Sequence, residues 1–515
     1  MLNNLGLFLS KRAFLSPEQE GYVESDGSLR LSYAELNASC NRVANAFRAA
    51  GVQKGERVGL LIMNSREFME AYFALAKVGA VVVPLNWRLV ADELEFILKD
   101  SGTQRLIFGE EFLETVAELH SRGDKTEIKQ WLQVEAAQDV AYFAESYQAF
   151  RDAAPSDEPE VTACDDDMLY IMYTSGTTGL PKGVVHTHTS AIWGLITIGA
   201  TSDYRAKDRY LACLPMFHVG ALTPLAANVW AGATNIVMRT FDPVAAWQVI
   251  EREKITVGLA VPAMLNFMSQ VEGFQERFDY SSVRWIMTGA APVPAEMTLY
   301  YSNLGIGILQ VYGLTETCGP ACLMDSENAL ENPSSTGRAF FHTEVRVVDD
   351  NLQECEPGVA GEVVVKGRHI MREYWNRPDA TAETLVDGWL RTGDVATMDE
   401  QGFVTIADRI KDMIISGGEN VYPAEIEGVL MSHEHISEAA VIGQNSQRWG
   451  ESPLAIVVRT DDTLTEAQVL EFCQGRLARF KQPQSVAFID EIPRNPSGKI
   501  LKRLLREQFP TEAPV

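Results

Sequence analysis

No stretch of the chain approaches the ~20 consecutive apolar residues that a helix needs to cross a bilayer. Met1 to Arg12 carries no long apolar run ahead of its charges, so a secretory signal is not expected either. Basic residues are scarce: 44 Lys and Arg stand against 70 Asp and Glu, a formal charge of −26. A chain of that sign repels nucleic acid as a whole, so no nucleic-acid partner is expected. Cysteines are few, odd in number and scattered (Cys40, Cys164, Cys213, Cys318, Cys322, Cys355 and Cys473). That set does not make a disulfide framework, and a reducing, cytoplasmic setting is the simplest one. Cys318 and Cys322 form the only close pair; no second Cys or His pair at zinc spacing accompanies them, so they read as packing residues. Internal repeats and low-complexity tracts are absent too.

What is present is ordinary for a globular enzyme-sized protein. The 515 residues are too many for one hydrophobic core and suit two to four packed units. Ser32 and Glu35 make a capping-box pattern, Leu36, Cys40, Val43 and Phe47 recur at helical spacing, and Gly51 closes the helix. Arg57 to Met63 reads as a buried strand, Asn64 and Ser65 start a helix through Phe68, Tyr72, Leu75 and Ala76, and Gly79 stops it. Ala80 to Val83 is the next strand, Ala91 to Lys99 the next helix with Gly102 after it, and Arg105 to Phe108 a third strand. This alternation predicts an α/β fold with a parallel sheet covered by helices. Residues 123 to 166 are polar and acidic and read as a surface connection. Farther on, Glu344 to Val348, Gly361 to Lys366 and Gly402 to Ile406 are β-rich. From about Asp412 the chain has its own strands (Ala439 to Ile442, Leu454 to Val458, Ser485 to Phe488) and helices, which suits a small α+β domain of roughly 100 residues.

The strongest local signal is Tyr173-Thr174-Ser175-Gly176-Thr177-Thr178-Gly179-Leu180-Pro181-Lys182-Gly183, which follows the apolar run Met168 to Met172. Glycines free the backbone to curl, so that successive N–H groups can face an anion. The hydroxyl side chains add donors and Lys182 adds a positive charge, a chemistry suited to polyphosphate. It is not a Walker loop, because no Gly-Lys-Ser/Thr ends it at the required spacing. Composition alone leaves a flexible polar loop as an equal reading.

The full string is similar to the phosphate-binding signature of the adenylate-forming superfamily, which includes acyl-CoA synthetases, peptide-synthetase adenylation domains and luciferases. The resemblance runs from about Leu31 to Arg503 and carries further blocks in the family's order. They are Pro215-Met216-Phe217-His218, Gly289-Ala290-Ala291-Pro292, Tyr312-Gly313-Leu314-Thr315-Glu316, Gly388-Trp389-Leu390-Arg391-Thr392-Gly393-Asp394, Asp408-Arg409-Ile410-Lys411-Asp412 and Pro493-Arg494-Asn495-Pro496-Ser497-Gly498-Lys499. It implies a large N-terminal domain, residues 1–408, of α/β layers and a distorted β-barrel. A hinge at 409–411 that pivots on Lys411 and a small mobile α+β domain, 412–515, would follow. The implied activity is ATP-dependent: acid plus ATP gives acyl-AMP and pyrophosphate, and coenzyme A then takes the acyl group.

Site roles follow from the same resemblance. Thr174, Ser175, Gly176, Thr177, Thr178, Gly179 and Lys182 would hold the phosphates, with Gly289, Ala290, Ala291, Pro292 and Gly313 beside the nucleotide. Tyr312 has a flat face that can stack on adenine, Thr315 can donate to a phosphate oxygen, and Glu316 can hold Mg²⁺, which prefers oxygen ligands. Asp394 matches the ribose-binding aspartate, since a carboxylate accepts two hydroxyl protons well, and Arg409 is placed for ribose or phosphate. Lys499 is the implied adenylation lysine: carboxylate and α-phosphate repel, and a preorganised cation offsets this in the transition state. Residues 476 to 506 hold eight basic residues against two acidic ones, and those other than Lys499 could face the phosphates of coenzyme A. Trp449, Phe480, Lys481, Gly417 and Gly418 match segments that meet coenzyme A; Gln482, where some relatives have arginine, is a departure. Glu373 is another, standing where many relatives have glycine before the Tyr374-Trp375 pair.

His218 is expected at the acyl pocket wall, positioning substrate without acid–base duty. The pocket is expected to include Phe217, Val219, Gly220, Gly289, Ala290, Ala291, Val311, Gly313, Cys318 and Gly319, mostly small or apolar, with no Arg or Lys among them. An apolar monocarboxylate fits that set, either a medium- or long-chain fatty acid or an arylpropenoate such as ferulate, and dicarboxylates do not. Two other readings are an acyl-AMP ligase that loads a carrier protein and a non-catalytic nucleotide-binding protein; an oxidative luciferase is more remote. The combination of Lys182, Glu316, Asp394 and Lys499 argues for catalysis. The sequence leaves a homodimer open.

Overall fold

A computed structural model describes residues 2–134, 139–174, 181–290, 293–332, 334–409, 412–416, 419–446, 450–474, 476–477, 479–494 and 500–510. The chain divides into two compact units. One contains Met1–Val345 with Val365–Leu390, the other Arg346–Val364 with Arg391–Val515. The segments Arg346–Val364 and Arg391–Asp408 thus group with the C-terminal residues, whereas the sequence reading placed the break after 408; Lys411 lies outside the described residues. Among the described residues no helix is long and apolar enough to cross a membrane.

The first unit holds two large sheets. In one, the strands run Glu373–Tyr374, Lys182–Thr187, Met168–Thr174, Val81–Pro84, Arg57–Leu61, Thr103–Gly109, Gln130–Val134 and Glu145–Ser146 from edge to edge. Neighbours are parallel from Met168–Thr174 onward, and the two strands before it are antiparallel. The expected local signals act as read. Ser32 and Glu35 form the reciprocal capping box of helix Tyr33–Ala49, and Ser65 caps Arg66–Val78. Gly79 and Gly102 end their helices in the left-handed conformation. Phe47, Phe68, Tyr72 and Leu75 are fully buried between these helices and the sheet, each such side chain stabilising by about 1.5–3 kcal/mol.

Residues 123–166 are not merely a surface connection. Gln130–Val134 is an interior strand, parallel to Thr103–Gly109, with Trp131 and Leu132 buried. Its apolar alternation is only a few residues long and sits in acidic surroundings, which is why composition hid it. The acidic stretch after it is itself anchored: buried Lys77 bonds Asn37 Oδ1 (2.7 Å), Asn41 Oδ1 (2.6 Å) and Glu158 Oε2 (3.1 Å). A buried ammonium is tolerated only with such partners.

The second large sheet runs Arg338–Ala339, Cys322–Met324, Gly307–Tyr312, Trp285–Gly289, Val257–Leu259, Arg209–Ala212, Thr234–Val237, Glu20–Glu24, Arg30–Ser32. Its centre, from Gly307–Tyr312 to Glu20–Glu24, is parallel throughout. Parallel strands deliver their following loops to one edge, the usual place for ligands in α/β folds.

The expected β-rich segments form a five-stranded sheet ordered Glu344–Val348, Gly361–Lys366, Trp389–Met398, Leu385–Val386, with Val404–Arg409 also on Trp389–Met398. The last strand starts at Val404, since Gly402 occupies a positive-φ turn. In the second unit Ile436–Ser446 and Gly450–Arg459 make a long antiparallel hairpin, with Ser485–Phe488 parallel to its second strand. Val441, Ala455 and Val457 face one core, Ala440, Ile442, Leu454 and Ile456 the other, so both faces of this sheet are covered. All seven cysteines are free thiols, five of them buried, Cys318 and Cys322 included.

His188, buried at the head of helix His188–Thr201, accepts the Leu5 N–H at Nδ1 (3.1 Å). Burial depresses its pKa to about 4. An unfolded histidine titrates near 6.5, so the unfolded chain takes up a proton first as pH falls. Stability from this residue is therefore complete above about pH 6.5 and is lost as pH falls toward 4, by up to about 3 kcal/mol. Urea unfolding at pH 7 and pH 4.5 should show a smaller drop in His188→Asn than in the wild type; equal drops would show that His188 does not contribute.

Candidate active site

The motifs of the first unit gather where strands end. Thr174 ends one strand and Lys182 begins the next, paired across the antiparallel ladder; Ser175–Leu180 lie outside the described residues. In the other sheet, Gly289 and Val311 are register partners at the ends of Trp285–Gly289 and Gly307–Tyr312. Ala290 follows at φ +68°, and Ala291 and Pro292 lie outside the described residues. A β-carbon on Gly289 would run into the Val311 carbonyl, and one on Gly313 would run into the Gly319 carbonyl. Glycine is needed at both positions because two backbones approach too closely for any side chain.

Thr315–Thr317 forms a short 3₁₀ turn beyond Tyr312 and Gly313, with Tyr312, Thr315 and Glu316 half-buried. Two fully buried histidines hold its backbone. His186 Nε2 meets the Thr315 carbonyl at 2.8 Å while its Nδ1 meets Ser190 Oγ at 2.9 Å. His369 Nδ1 meets the Thr317 carbonyl at 3.0 Å while its Nε2 meets Thr343 Oγ1 at 2.7 Å. A carbonyl can only accept, so each imidazole carries its proton on the nitrogen facing the turn and accepts a hydroxyl proton on the other. Burial lowers both pKa values to about 4, so both rings are neutral near neutral pH. Sequence reading missed both, since a lone histidine among apolar residues carries no ligand signal.

Glu316 is held by its side chain and its backbone. Its Oε1 accepts the Tyr374 hydroxyl at 2.6 Å, and its carbonyl accepts the Met371 N–H at 2.8 Å. The Lys182 ammonium lies 5.0 Å from the centroid of the same Tyr374 ring. Thus Lys182 and Glu316, read from separate motifs, meet through a residue noted in the sequence only as part of a departure from the family pattern. A half-buried carboxylate with an ammonium nearby suits a hard cation bridging phosphates.

Of the expected acyl-pocket residues, Cys318 touches the helix that follows Phe217 and His218. Cys318, at φ +57°, has its carbonyl bonded by Thr223 Oγ1 (2.9 Å) and its thiol 3.3 Å from the Tyr170 hydroxyl. Burial raises that thiol, which keeps it protonated and unreactive. Phe217 and His218 precede helix Val219–Ala231, on which Val219 and Gly220 are the first residues, and their rings lie 4.4 Å apart. His218 Nε2 is buried without a hydrogen-bond partner among the described residues. Its pKa falls to about 4, chiefly through burial and secondarily through the nearby Arg88 cation. A neutral ring fits a positioning role better than acid–base work. Arg88 itself is exposed, and its guanidinium lies on Trp87, which packs edge-on against Phe217. A cation on the approach to Phe217 was not visible in the sequence.

In the second unit the Arg391–Asp394 segment is tightly tied. Glu362 binds the Arg391 guanidinium (2.6 and 2.8 Å) and the Gly393 N–H, and Thr392 Oγ1 donates to the Val363 carbonyl. Asp394 is 4% exposed and is the register partner of Arg409 on the adjacent strand. Lys499, Gly417, Gly418 and Trp449 lie outside the described residues, as does the Phe480 side chain. The basic C-terminal stretch is not a free cationic face. Lys481 pairs with Glu425, Arg494 with Glu438, Lys502 with Glu427, Arg503 with Glu507 and Arg506 with Asp412. Each of these five cations has a carboxylate partner, so the charge excess counted along the sequence is partly paired.

Comparison with known proteins agrees with this geometry. Residues 9–375 match the AMP-binding enzyme family, and residues 425–499 match the AMP-binding enzyme C-terminal domain. The chain is 45% identical over 514 residues to the long-chain-fatty-acid–CoA ligase FadD13 of Mycobacterium tuberculosis, covering 100% of both chains. It is 38% identical over 507 residues to the feruloyl-CoA synthase of an Amycolatopsis species, covering 98% of this chain and 99% of the other. The structure of the o-succinylbenzoate CoA synthetase of Bacillus subtilis with its acyl-adenylate intermediate superposes with a TM-score of 0.86, at 31% identity and 98% coverage of each chain. With its motifs assembled at the strand ends and a match over both family segments, this chain belongs to the AMP-binding enzymes, the acyl-CoA ligases of the adenylate-forming superfamily.

Proposed function

We propose that this ATP-dependent ligase activates an apolar monocarboxylic acid, a medium- or long-chain fatty acid or an arylpropenoate, as its acyl-AMP and passes the acyl group to coenzyme A. The observation that supports the site reading most is the pairing of Lys182 and Glu316 on one tyrosine. A phosphate-binding cation and a metal-binding carboxylate are needed together where a polyphosphate is bound. Mg²⁺, held there by Glu316 and the nucleotide's own phosphates, would neutralise charge on the departing pyrophosphate.

The chain's own groups then divide the work. Lys182 and the hydroxyl-rich loop hold the phosphates, Thr315 donates to one of them, and Tyr312 offers its face to adenine. Asp394 and Arg409 hold the ribose. The acid lies along Phe217, His218, Val311 and Cys318 with its carboxylate toward the α-phosphate, where Lys499 offsets the repulsion between the two anions. Conversion to a mixed anhydride supplies the leaving group that a carboxylate lacks. Neutral His218 orients the acid, and the thiol of coenzyme A displaces AMP. FadD13 is named for long-chain fatty acids and the other relative for the feruloyl group, which supports a fatty or aryl acid here without deciding between them.

A panel of acids assayed with Mg²⁺ and ATP, with and without coenzyme A, tests the whole reading. AMP and pyrophosphate should form, and coenzyme A should be consumed. Apolar monocarboxylates should outcompete dicarboxylates of similar length, because burying a second, unpaired carboxylate costs several kcal/mol. ADP as product would refute adenylation, turnover only with a carrier protein would refute the acceptor, and preference for succinate would refute the pocket.

The family resemblance also implies two domain orientations, one per half-reaction, a common form of gating. Lys499→Ala should abolish acyl-AMP formation yet still convert supplied acyl-AMP to acyl-CoA. Gly418→Leu should form acyl-AMP but stall before the thioester, since a side chain there would narrow the channel for the pantetheine arm. Single-turnover kinetics of each half-reaction, after circular dichroism establishes folding, is the measurement. Equal loss of both halves in both variants would replace alternation with one fixed site.

A further inference from the structure

Tyr374 is held more firmly than a surface aromatic would need to be. Glu373–Tyr374 pairs antiparallel with Val184 and Val185 on the strand that Lys182 begins. The Arg372 N–H bonds the Val185 carbonyl (2.9 Å) and the Trp375 N–H bonds the Gly183 carbonyl (2.7 Å). The Trp375 indole N–H is fixed to the Asp100 carbonyl (2.9 Å), and the Met371 N–H reaches the Glu316 carbonyl. A five-residue strap thus joins the strand that Lys182 begins to the Thr315–Thr317 turn, and Met371 and Tyr374, 3% and 8% exposed, are its buried residues. The phenol donates to Glu316 while the ring face lies beneath the Lys182 ammonium.

We propose that Tyr374 is a positioning residue that keeps Lys182 and Glu316 apart and oriented, so that the ammonium stays available to phosphate and the carboxylate to the metal ion. An ammonium and a carboxylate that meet on one ring attract each other in a half-buried site. A direct ion pair between them would remove both from nucleotide binding. The aromatic face holds the cation through its quadrupole without neutralising it, and the phenolic O–H fixes the carboxylate's rotamer through one oxygen and leaves the other open. Phenylalanine would keep the first interaction and lose the second. This inference rests on the reading of Glu316 as the metal-holding carboxylate.

The test is Mn²⁺ binding to the full-length protein in complex with α,β-methylene-ATP, followed by electron paramagnetic resonance, with nucleotide affinity in EDTA measured alongside. Tyr374→Phe should weaken Mn²⁺ binding five-fold or more and change metal-free nucleotide affinity less than two-fold. Glu316→Gln should weaken Mn²⁺ binding as well. The double variant should be no weaker than Glu316→Gln alone, because the tyrosine acts through that carboxylate. If Glu316→Gln weakens binding and Tyr374→Phe does not, the positioning role is overturned and the metal reading stands. If the two losses multiply, Tyr374 acts by another route and the proposal fails. If Glu316→Gln has no effect, the metal reading itself falls and the proposal with it. Should Tyr374→Phe not fold by circular dichroism, O-methyltyrosine at position 374, which keeps the ring and removes the donated proton, takes its place with the same outcomes.

Discussion

In the site proposed above an ammonium and a carboxylate both serve a polyphosphate and cannot be allowed to neutralise each other, so the placing of Lys182 and Glu316 on one tyrosine is the constraint on which that reading depends. Lys182 belongs to the first sheet and Glu316 to the loop after a strand of the second. The strap Met371–Trp375 satisfies the constraint by pairing with the Lys182 strand on one side and the Glu316 backbone on the other. Its backbone hydrogen bonds, each worth only about 1 kcal/mol net, fix the phenol where a free side chain would sample several rotamers.

The electrostatics around the turn follow the same logic. The groups that hold the Thr315 and Thr317 carbonyls are imidazoles that burial keeps neutral, so they orient the turn without adding charge beside Glu316. His218 is neutral for the same reason at the acyl side. Among the described residues the charges beside this turn are those of Lys182 and Glu316, with Arg88 adding a cation on the Phe217 side, and a polar framework set in advance is the condition for electrostatic preorganisation.

Much of this was legible in the sequence wherever the signal is local. Ser32 with Glu35, Ser65, Gly79 and Gly102 mark helix ends because caps and left-handed turns are decided within a few residues. The Tyr173–Gly183 and Tyr312–Glu316 blocks were legible as family strings. What could not be read is non-local. Gln130–Val134 is a strand because Thr103–Gly109 lies beside it, not because of its own composition. Lys481, Lys502 and Arg494 of the basic tail pair with Glu425, Glu427 and Glu438, far back in the chain. The Tyr374 phenol meets Glu316 from 58 positions away, and His186 and His369 meet the Thr315 and Thr317 carbonyls from 129 and 52 positions away. Side-chain partnership across elements leaves no periodic trace.

The central chemical claim is that the acid's own oxygen attacks the α-phosphate of ATP. Acid labelled with ¹⁸O in both carboxyl oxygens settles it. Attack at the α-phosphate, followed by thiolysis at the acyl carbon, leaves a single labelled oxygen on AMP and none on pyrophosphate. The label is read by mass spectrometry or by its isotope shift in phosphorus NMR after turnover with coenzyme A. Labelled AMP is the result required here; label in inorganic phosphate, or AMP without label, would contradict it.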